Sequence, residues 1–284
     1  MTQKRTALVT GGTAGIGLAT AHALLADGVR VYVTGRTEER LREAAGAGLL
    51  PIRADMADLD DIRAVADRIA DDGVVLDVLV ANAGTAETTV FGEVDPATFD
   101  RTFDLNVRGV FFTVQSLLPH LSDGASVVLI GSICAIKGMA DLSVYSASKA
   151  ALRSFARSWA NDLRTRRIRV NTLSPGPVRT PLAHQLQEDA DGSIAAFEEW
   201  TAQNAPAGRI GEPEDIASVV RFLAGPDAGY INGVELFVDG GLAQIRTLGA
   251  GQRRKPRPPS RAPRSRRRRP SGRPFSVHTA TILS

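Results

Sequence analysis

Ala7-Leu8-Val9-Thr10-Gly11-Gly12-Thr13-Ala14-Gly15-Ile16-Gly17 is the segment from which the architecture can be read. A short apolar run, Ala7 to Thr10, breaks into a glycine-rich turn and then into a helix beginning near Gly15. Small residues let backbone amides approach a bound pyrophosphate, and a helix N-terminus adds partial positive charge. The spacing is Gly-x3-Gly-x-Gly rather than the commoner Gly-x-Gly-x-x-Gly. A tight turn with no ligand would use the same glycines; the strand-to-helix setting favours phosphate binding.

Outward from this turn the alternation continues. Short β-branched runs at Ala7 to Thr10, Val29 to Thr34, Leu50 to Arg53, Leu76 to Ala81, Ser126 to Gly131, Ile168 to Ser174 and Val234 to Val238 are separated by amphipathic stretches. Strands followed by crossover helices imply a parallel sheet. The runs are nearly continuously apolar, as expected when helices cover both faces of a sheet. The predicted fold is therefore α/β, a doubly wound seven-stranded parallel sheet in one domain, residues 1–245. Two long helices stand out, one with Phe99, Phe103, Val107, Val110, Val114 and Leu117 at helical spacing, the other with Leu152, Ala156, Trp159 and Leu163. On the second, Ala147, Ala150, Ala151, Ser154 and Ser158 add a small-residue surface. It is either ordinary helix surface or the seat of a partner helix, and the expectation is a homo-oligomer, a dimer or tetramer, built on the two long helices.

Composition narrows the function classes. The chain has 284 residues, 43% of them hydrophobic and 23% charged, a globular balance that excludes a mainly disordered or fibrous protein. A single cysteine, Cys134, excludes an internal disulfide or a cysteine-based zinc module. No apolar stretch approaches the ~20 residues of a membrane span. No apolar leader precedes the first strand, so the expected location is the cytoplasm. The four histidines show no ligand spacing, and no metal is expected. The net charge of +3 hides an asymmetry: residues 246–284 hold eleven Arg, one Lys and no acid, which leaves 22 basic against 31 acidic side chains in residues 1–245. With six prolines and little apolar surface, this tail is expected to be disordered. It either binds nucleic acid or has no selected role, and the second reading is preferred because a charge run alone specifies no partner.

The loop after the second strand reads the ribose of a dinucleotide. An acid there would accept the 2′-hydroxyl of NAD, whereas Thr34-Gly35-Arg36 supplies none, and a 2′-phosphate would meet the cation of Arg36. NADP(H) is expected, with NAD(H) possible, since Arg36 can equally be a solvated loop charge. Farther on, Tyr145-x3-Lys149 opens the second long helix with phenol and ammonium on one helical face. A free phenol titrates near ~10, and a cation beside it favours the phenolate, so Lys149 is expected to turn Tyr145 into an acid/base. Ser132 follows the fifth strand at the carboxyl edge, where ligands of open α/β sheets bind.

Together, Thr10-Gly11-x3-Gly15-Ile16-Gly17, Asn82-Ala83-Gly84, Asn106, Ser132, Tyr145-x3-Lys149 and Pro175-Gly176 stand in the order and at about the intervals of the short-chain dehydrogenases/reductases. The chain resembles that family over about residues 5–244. The resemblance implies a Rossmann-type fold and reversible hydride transfer between nicotinamide and a ketone or secondary alcohol. It implies that Tyr145 moves the substrate proton, Lys149 lowers its pKa and holds the nicotinamide ribose, Ser132 orients the carbonyl, and Asn106 supports a water-linked proton relay. For the cofactor it implies contacts from Gly11, Thr13, Gly15, Ile16, Gly17, Asp55, Met56, Asn82, Ala83, Gly84, Pro175, Gly176, Val178 and Thr180, besides Arg36, Tyr145 and Lys149. Ala14 departs from the family's pattern, because some NADP users carry a basic residue there. Local explanations compete: Asn106 and Asn82 can serve the backbone alone, Thr180-Pro181 suits a helix start, and Cys134 reads as a small buried thiol.

Gly208-Arg209-Ile210-Gly211-Glu212-Pro213-Glu214-Asp215 resembles 3-oxoacyl carrier-protein reductases, and Arg164, Arg166, Arg167 and Arg169 are either a docking patch for an acidic carrier or a solvated helix end. The segment Leu182 to Pro206, with Phe197 and Trp200, is expected to cover the substrate. The alternatives carried forward are an NAD-dependent sugar- or steroid-type alcohol dehydrogenase and, remotely, a nucleotide sensor or nucleic-acid binder using the tail.

Overall fold

A computed structural model describes residues 4–189 and 192–245. The predicted basic tail, residues 246–284, lies outside the described residues. Seven strands, β1 (Thr6–Val9), β2 (Arg30–Gly35), β3 (Leu50–Arg53), β4 (Leu76–Ala81), β5 (Leu121–Ile130), β6 (Arg169–Pro175) and β7 (Glu235–Val238), form a parallel sheet in the order β3-β2-β1-β4-β5-β6-β7. All seven predicted strands are present. The largest difference is β5, which starts earlier than its apolar run because Leu121 pairs with Leu76. There Asp77, a polar interruption of β4, accepts hydrogen bonds from the Thr6 amide (2.9 Å) and the Ser122 hydroxyl (3.0 Å). Its carboxylate thus ties three strands together.

Helices α1 (Gly15–Ala26), α2 (Glu38–Gly46), α3 (Leu59–Asp71), α4 (Pro96–Phe103), α5 (Val110–Leu117), α6 (Ser143–Asp162), α7 (Pro181–Asp189), α8 (Ile194–Asn204) and α9 (Pro213–Ala224) follow the strands. Successive strand residues point to opposite faces, so one strand feeds two cores. Leu8, Leu79, Val127 and Leu129 pack with Ile62, Ile69, Leu117 and Leu152 of α3, α5 and α6. Ala7, Val9, Val80 and Val128 pack with Leu24, Ile216, Val220 and Leu223 of α1 and α9. This two-sided burial accounts for the unalternated runs and gives the doubly wound architecture.

Strand order reverses between β1 and β4, and ligands of such sheets bind in the crevice at the carboxyl ends there. The glycine turn leaves β1, and Asn82-Ala83-Gly84 leaves β4, at this edge.

The first long helix departs from its predicted stripe. Between α4 and α5 the backbone widens into a π turn, Asp104–Gly109, which adds a residue and shifts the helical phase. Thr102, Asn106 and Gly109 are turned inward, Phe103 and Val107 are only half-buried, and Phe99 is 44% exposed, stacked on Phe103 at 4.5 Å between ring centroids. Gly109 is what admits this geometry: a Cβ there would stand 2.1 Å from the Met56 carbonyl oxygen and 3.1 Å from that of Asp104. Both neighbours are backbone and cannot swing aside. Gly109→Ala is expected to cost about 2 kcal/mol, overpacking outweighing the roughly 1 kcal/mol that alanine gains in a helix. Urea denaturation reads this directly, and an unchanged midpoint would show that the contact is not needed.

Candidate active site

The turn after β1 is held from two sides. The Gly11 amide donates to the Thr34 hydroxyl (3.1 Å) and the Gly12 amide to the Thr34 carbonyl (3.0 Å). On the other side the Asn82 side-chain amide donates to the carbonyls of Thr10 (2.9 Å) and Gly11 (3.2 Å), while the Thr10 hydroxyl accepts from the amides of Asn82 and Ala83, both at 3.0 Å. Asn82 therefore clamps the turn. Thr10 and Thr34 share in this work, and a hydroxyl at the end of a strand beside a glycine turn is the sequence signal that would have found them.

Gly17 lets the turn lie against α1, since a Cβ would fall 2.3 Å from the Gly11 carbonyl oxygen. Gly11 (φ +61°) and Gly15 (φ +51°) occupy the left-handed region that favours glycine. Helix α1 starts with neither a side-chain cap nor an acid in its first turn. The free amides of Gly15, Ile16 and Gly17 thus form an uncompensated positive end, and small residues leave backbone room above it. These features fit the pyrophosphate of a dinucleotide.

Thr13 packs over Gly35, whose Cβ would lie 2.6 Å from Thr13 Cγ2. Beside them the Arg36 guanidinium, 73% exposed, lies 3.6 Å from the Asp55 carboxylate. Asp55 also accepts from the Ala57 amide (3.0 Å). The expected ribose and adenine residues are therefore neighbours joined as an ion pair. The Met56 side chain is buried in the core, which leaves only its backbone to face a nucleotide.

At the opposite end of the crevice, Tyr145 and Lys149 come from the first turns of α6, and Ser132 follows β5. Lys149 is 5% exposed and donates to the Ile130 carbonyl at 3.0 Å, with its Nζ 5.9 Å from the Tyr145 ring centroid. The Ser132 hydroxyl contacts the phenol and also accepts from the Cys134 amide (3.2 Å). Gly84 lets the loop after β4 approach: a Cβ would stand 3.0 Å from Asn106 Oδ1 and 3.1 Å from Lys149 Nζ.

Asn106, fully buried on the π turn, uses its whole amide. Its Oδ1 accepts from the Thr85 amide (2.8 Å), and its Nδ2 donates to the Thr85 carbonyl (2.8 Å) and the Ser148 hydroxyl (3.0 Å). Ser148 in turn donates to the Tyr145 carbonyl (2.7 Å). The side chain therefore fastens the loop after β4 to the helix that carries the phenol. Ser148, one turn beyond Tyr145 on the inward face, is a participant the sequence reading missed.

Electrostatics depart from the expectation. Burial pushes the Tyr145 phenol up to about 12; the Ser132 hydrogen bond pulls it down, and the Cys134 thiol adds to the rise. Burial likewise brings Lys149 down to about 8. Burial outweighs the nearby ammonium, which is also engaged with the Ile130 carbonyl. A phenol so placed is protonated at neutral pH and ready to donate.

The cavity in front of these groups measures about 380 Å³ and includes Ser132, Tyr145, Lys149, Asn82, Gly84 and Ile16 in its lining. Pro175, at the end of β6, and Gly176, Val178 and Thr180, in the loop after it, close the cavity. Gly176 permits close approach to Asp239, whose Cα would lie 2.7 Å from a Cβ. Val178 pairs with Gly211 in a short bridge. Thr180 accepts from the Ala183 amide (3.1 Å) at the start of α7, and its methyl would be 3.3 Å from a Cβ on Gly15, so this loop meets the glycine turn.

Leu182, Leu186 and Phe197 of α7 and α8 line the cavity, as expected of the covering segment, whereas Trp200 stacks behind Phe197 at 6.2 Å. Cys134 is half-buried, lines the cavity and packs against the small core of Ile133, Ala205 and Leu242, with its thiol raised chiefly by burial. Among the described residues, no group of three or more potential ligands is placed to hold a metal.

Two sequence features fall away from the site. Arg164 to Arg169 join the far end of α6 to the start of β6, opposite the carboxyl edge; Arg166 pairs with Asp123, and Arg169 donates to the Leu223 carbonyl at 2.7 Å. Most of a helix of 20 residues, about 26 Å of it, separates them from Tyr145. The stretch from Gly208 to Asp215 does not line the cavity: it starts α9, and through Gly211 it braces the loop after β6. Arg209 grips Asp215 through two hydrogen bonds (2.6 and 2.8 Å), Asp215 accepts from the Glu212 amide (2.8 Å), and the carboxyl is held down at about 2.

Comparison with known proteins agrees with this geometry. A family model described as enoyl-(acyl carrier protein) reductase matches residues 11–243. The oxidoreductase asL5 of Sarocladium schorii is 38% identical over 85% of this chain and 96% of its own length. Among solved structures, a short-chain dehydrogenase/reductase from Serratia marcescens superposes with a TM-score of 0.78 at 34% identity, covering 85% of this chain and 98% of that one. A blue fluorescent protein from a metagenomic library, solved in complex with NADPH, gives 0.75 at 36% identity over 84% of this chain and 98% of its own. With the crevice, the glycine turn and the Ser132–Tyr145–Lys149 cluster in place, the chain belongs to the short-chain dehydrogenase/reductase family of oxidoreductases.

Proposed function

We infer that the protein is an NADP(H)-dependent reductase that interconverts a ketone and a secondary alcohol, the ketone being 3-oxoacyl-like or of a similar carbonyl class. The observation that carries this reading is the meeting of the half-buried Tyr145 phenol, the Ser132 hydroxyl and the Lys149 amine at the inner wall of the cavity. When bound, the nicotinamide supplies or accepts the hydride. In the reduction direction Tyr145 gives its proton to the carbonyl oxygen, and Ser132 donates a second hydrogen bond that orients it. Lys149 holds the nicotinamide ribose, and Asn106 keeps the helix and loop in register, so that water reaching the lysine can return the proton. The amides of Gly15 to Gly17 cradle the pyrophosphate. Asp55 and the Met56 backbone face the adenine, Thr13 and Arg36 the ribose, and Ala83 with the residues from Pro175 to Thr180 the nicotinamide side.

Arg36 favours NADP(H), in keeping with the NADPH found in the metagenomic relative. The Arg36–Asp55 pair favours a second reading, an NAD-dependent alcohol dehydrogenase, because Asp55 already spends part of that positive charge. Exposed Ala147, Ser154 and Ser158 on α6, with Phe99 on α4, support a homo-oligomer through the long helices. The lone, unpaired Cys134 suits the reducing cytoplasm, and no described helix is long and apolar enough to cross a membrane.

Three measurements test this. Tyr145→Phe should lower turnover by about 10³-fold or more while NADPH binding, read by calorimetry, changes by less than about threefold; near-normal turnover would remove Tyr145 as the acid. Arg36→Ala should raise KM for NADPH about tenfold and leave KM for NADH nearly unchanged, a charge-assisted hydrogen bond being lost; an unmoved ratio favours the NAD reading. Because reduction uses the phenol and oxidation the phenolate, alcohol oxidation should climb with alkaline pH by up to about tenfold per unit, whereas ketone reduction should not. Reduction that climbs in the same range would contradict the assignment.

A further inference from the structure

The walls of the cavity set a limit on what can sit before Tyr145. Ile133 and Cys134 follow Ser132 on one side, Met139 and Leu142 rise from the loop before α6, and Leu186 and Phe197 face them from the covering helices. Leu242 closes the base, 4% exposed, and packs with Ile133. Lys137 fixes this closure by donating to the Leu242 carbonyl at 2.9 Å. Ser132, Tyr145 and Lys149 stand at the reacting end, while Thr85, Thr88, Thr180 and Gln187 add hydroxyls and an amide from the loops after β4 and β6 and from α7, amid walls that are otherwise mostly apolar.

Charge is distributed just as unevenly. Among the described residues that line the cavity, the charged side chains are Lys149, spent on the Ile130 carbonyl, and Asp141, exposed at the rim. Asp141 is fixed there by the Thr89 amide, which donates to its carbonyl at 2.6 Å, joining the loops that precede α4 and α6. A substrate carboxylate or phosphate entering past Asp141 would be repelled at the rim and then stripped of water among leucine, methionine and phenylalanine, and the lining cation, Lys149, is already engaged with the Ile130 carbonyl. Burying an unpaired anion is far costlier than burying apolar surface. The basic residues that might have met an acidic carrier lie at the opposite edge of the sheet.

Resting on the reductase reading, we propose that this site takes an uncharged, largely apolar ketone and excludes anionic ones, with Asp141 and the Leu186 wall as the determinants. The carbonyl oxygen meets Ser132 and Tyr145, and the rest of the molecule is held by the apolar walls. Specificity arises as much from penalising the charged competitor as from attracting the neutral substrate.

The test compares 4-methylacetophenone with 4-acetylbenzoate, which differ in a methyl against a carboxylate, by calorimetric binding to the NADP⁺-loaded protein and by NADPH-dependent reduction. The neutral ketone is expected to bind at least tenfold more tightly. In Leu186→Arg, which places a cation on a half-exposed helical wall position, that preference should shrink at least tenfold; Asp141→Asn should shrink it a few-fold while tolerating the left-handed backbone (φ +59°). Equal or tighter binding of the carboxylate by the unaltered protein overturns the proposal, as does binding of neither ketone or a preference that neither variant moves. A neutral ketone that binds with the expected preference yet is not reduced upholds the proposal and counts against the reductase reading instead.

Discussion

The arrangement at the carboxyl edge depends on one constraint, the holding of a half-buried phenol beside a buried amine within a cleft that still admits a substrate. Tyr145 and Lys149 are neighbours on α6, and each is shifted mainly by desolvation, the phenol upward to about 12 and the amine downward to about 8. Both shifts favour the neutral form, so the site stores an acid in its protonated state and a cation that is easily discharged. The carbonyl of Ile130 is the hydrogen-bond partner that the amine retains.

Holding those groups in place requires the backbone to come unusually close around them. Gly84 brings the loop after β4 within reach of Lys149 and Asn106, Gly109 seats the π turn against the Met56 carbonyl, and Asn106 spans the gap to Ser148. The cofactor half shows the same economy, with Gly17 against Gly11 and Asn82 stitching β1 to β4. Sheet, turn and the start of α6 are thus positioned by backbone contacts that a methyl group would block. The apolar walls then give the cavity its chemical character, and Asp141 sets the sign of the field at its rim.

Much of this was legible in the sequence because it depends on local pattern. Seven strands could be read from apolar runs, since burial on two faces leaves no alternation to confuse them, and the glycine turn and the Tyr145–Lys149 interval carry their geometry with them. What escaped depends on contacts between distant segments. The phase shift at Asp104–Gly109 arises where Gly109 meets Met56, so the stripe through Phe99, Phe103 and Val107 looked like core. Cys134 lines the cavity because of where the turn after Ser132 sits, and the arginines after α6 fall at the wrong edge because most of a helix intervenes. The balance of effects on Tyr145 escaped for a related reason. Spacing shows that an amine is near, but only the fold shows that it is shared with the Ile130 carbonyl and how strongly burial acts on both groups.

The titration of the Tyr145 phenol tests the central claim most directly. The chain has three tyrosines, so ¹³C-labelled phenol carbons can be followed by NMR as pH rises and the Tyr145 signal assigned with Tyr145→Phe. A phenol set by burial stays protonated through pH 10 in the protein free of nucleotide. A signal that titrates between pH 7 and 8 would mean that the amine governs the phenol after all, and would contradict the account.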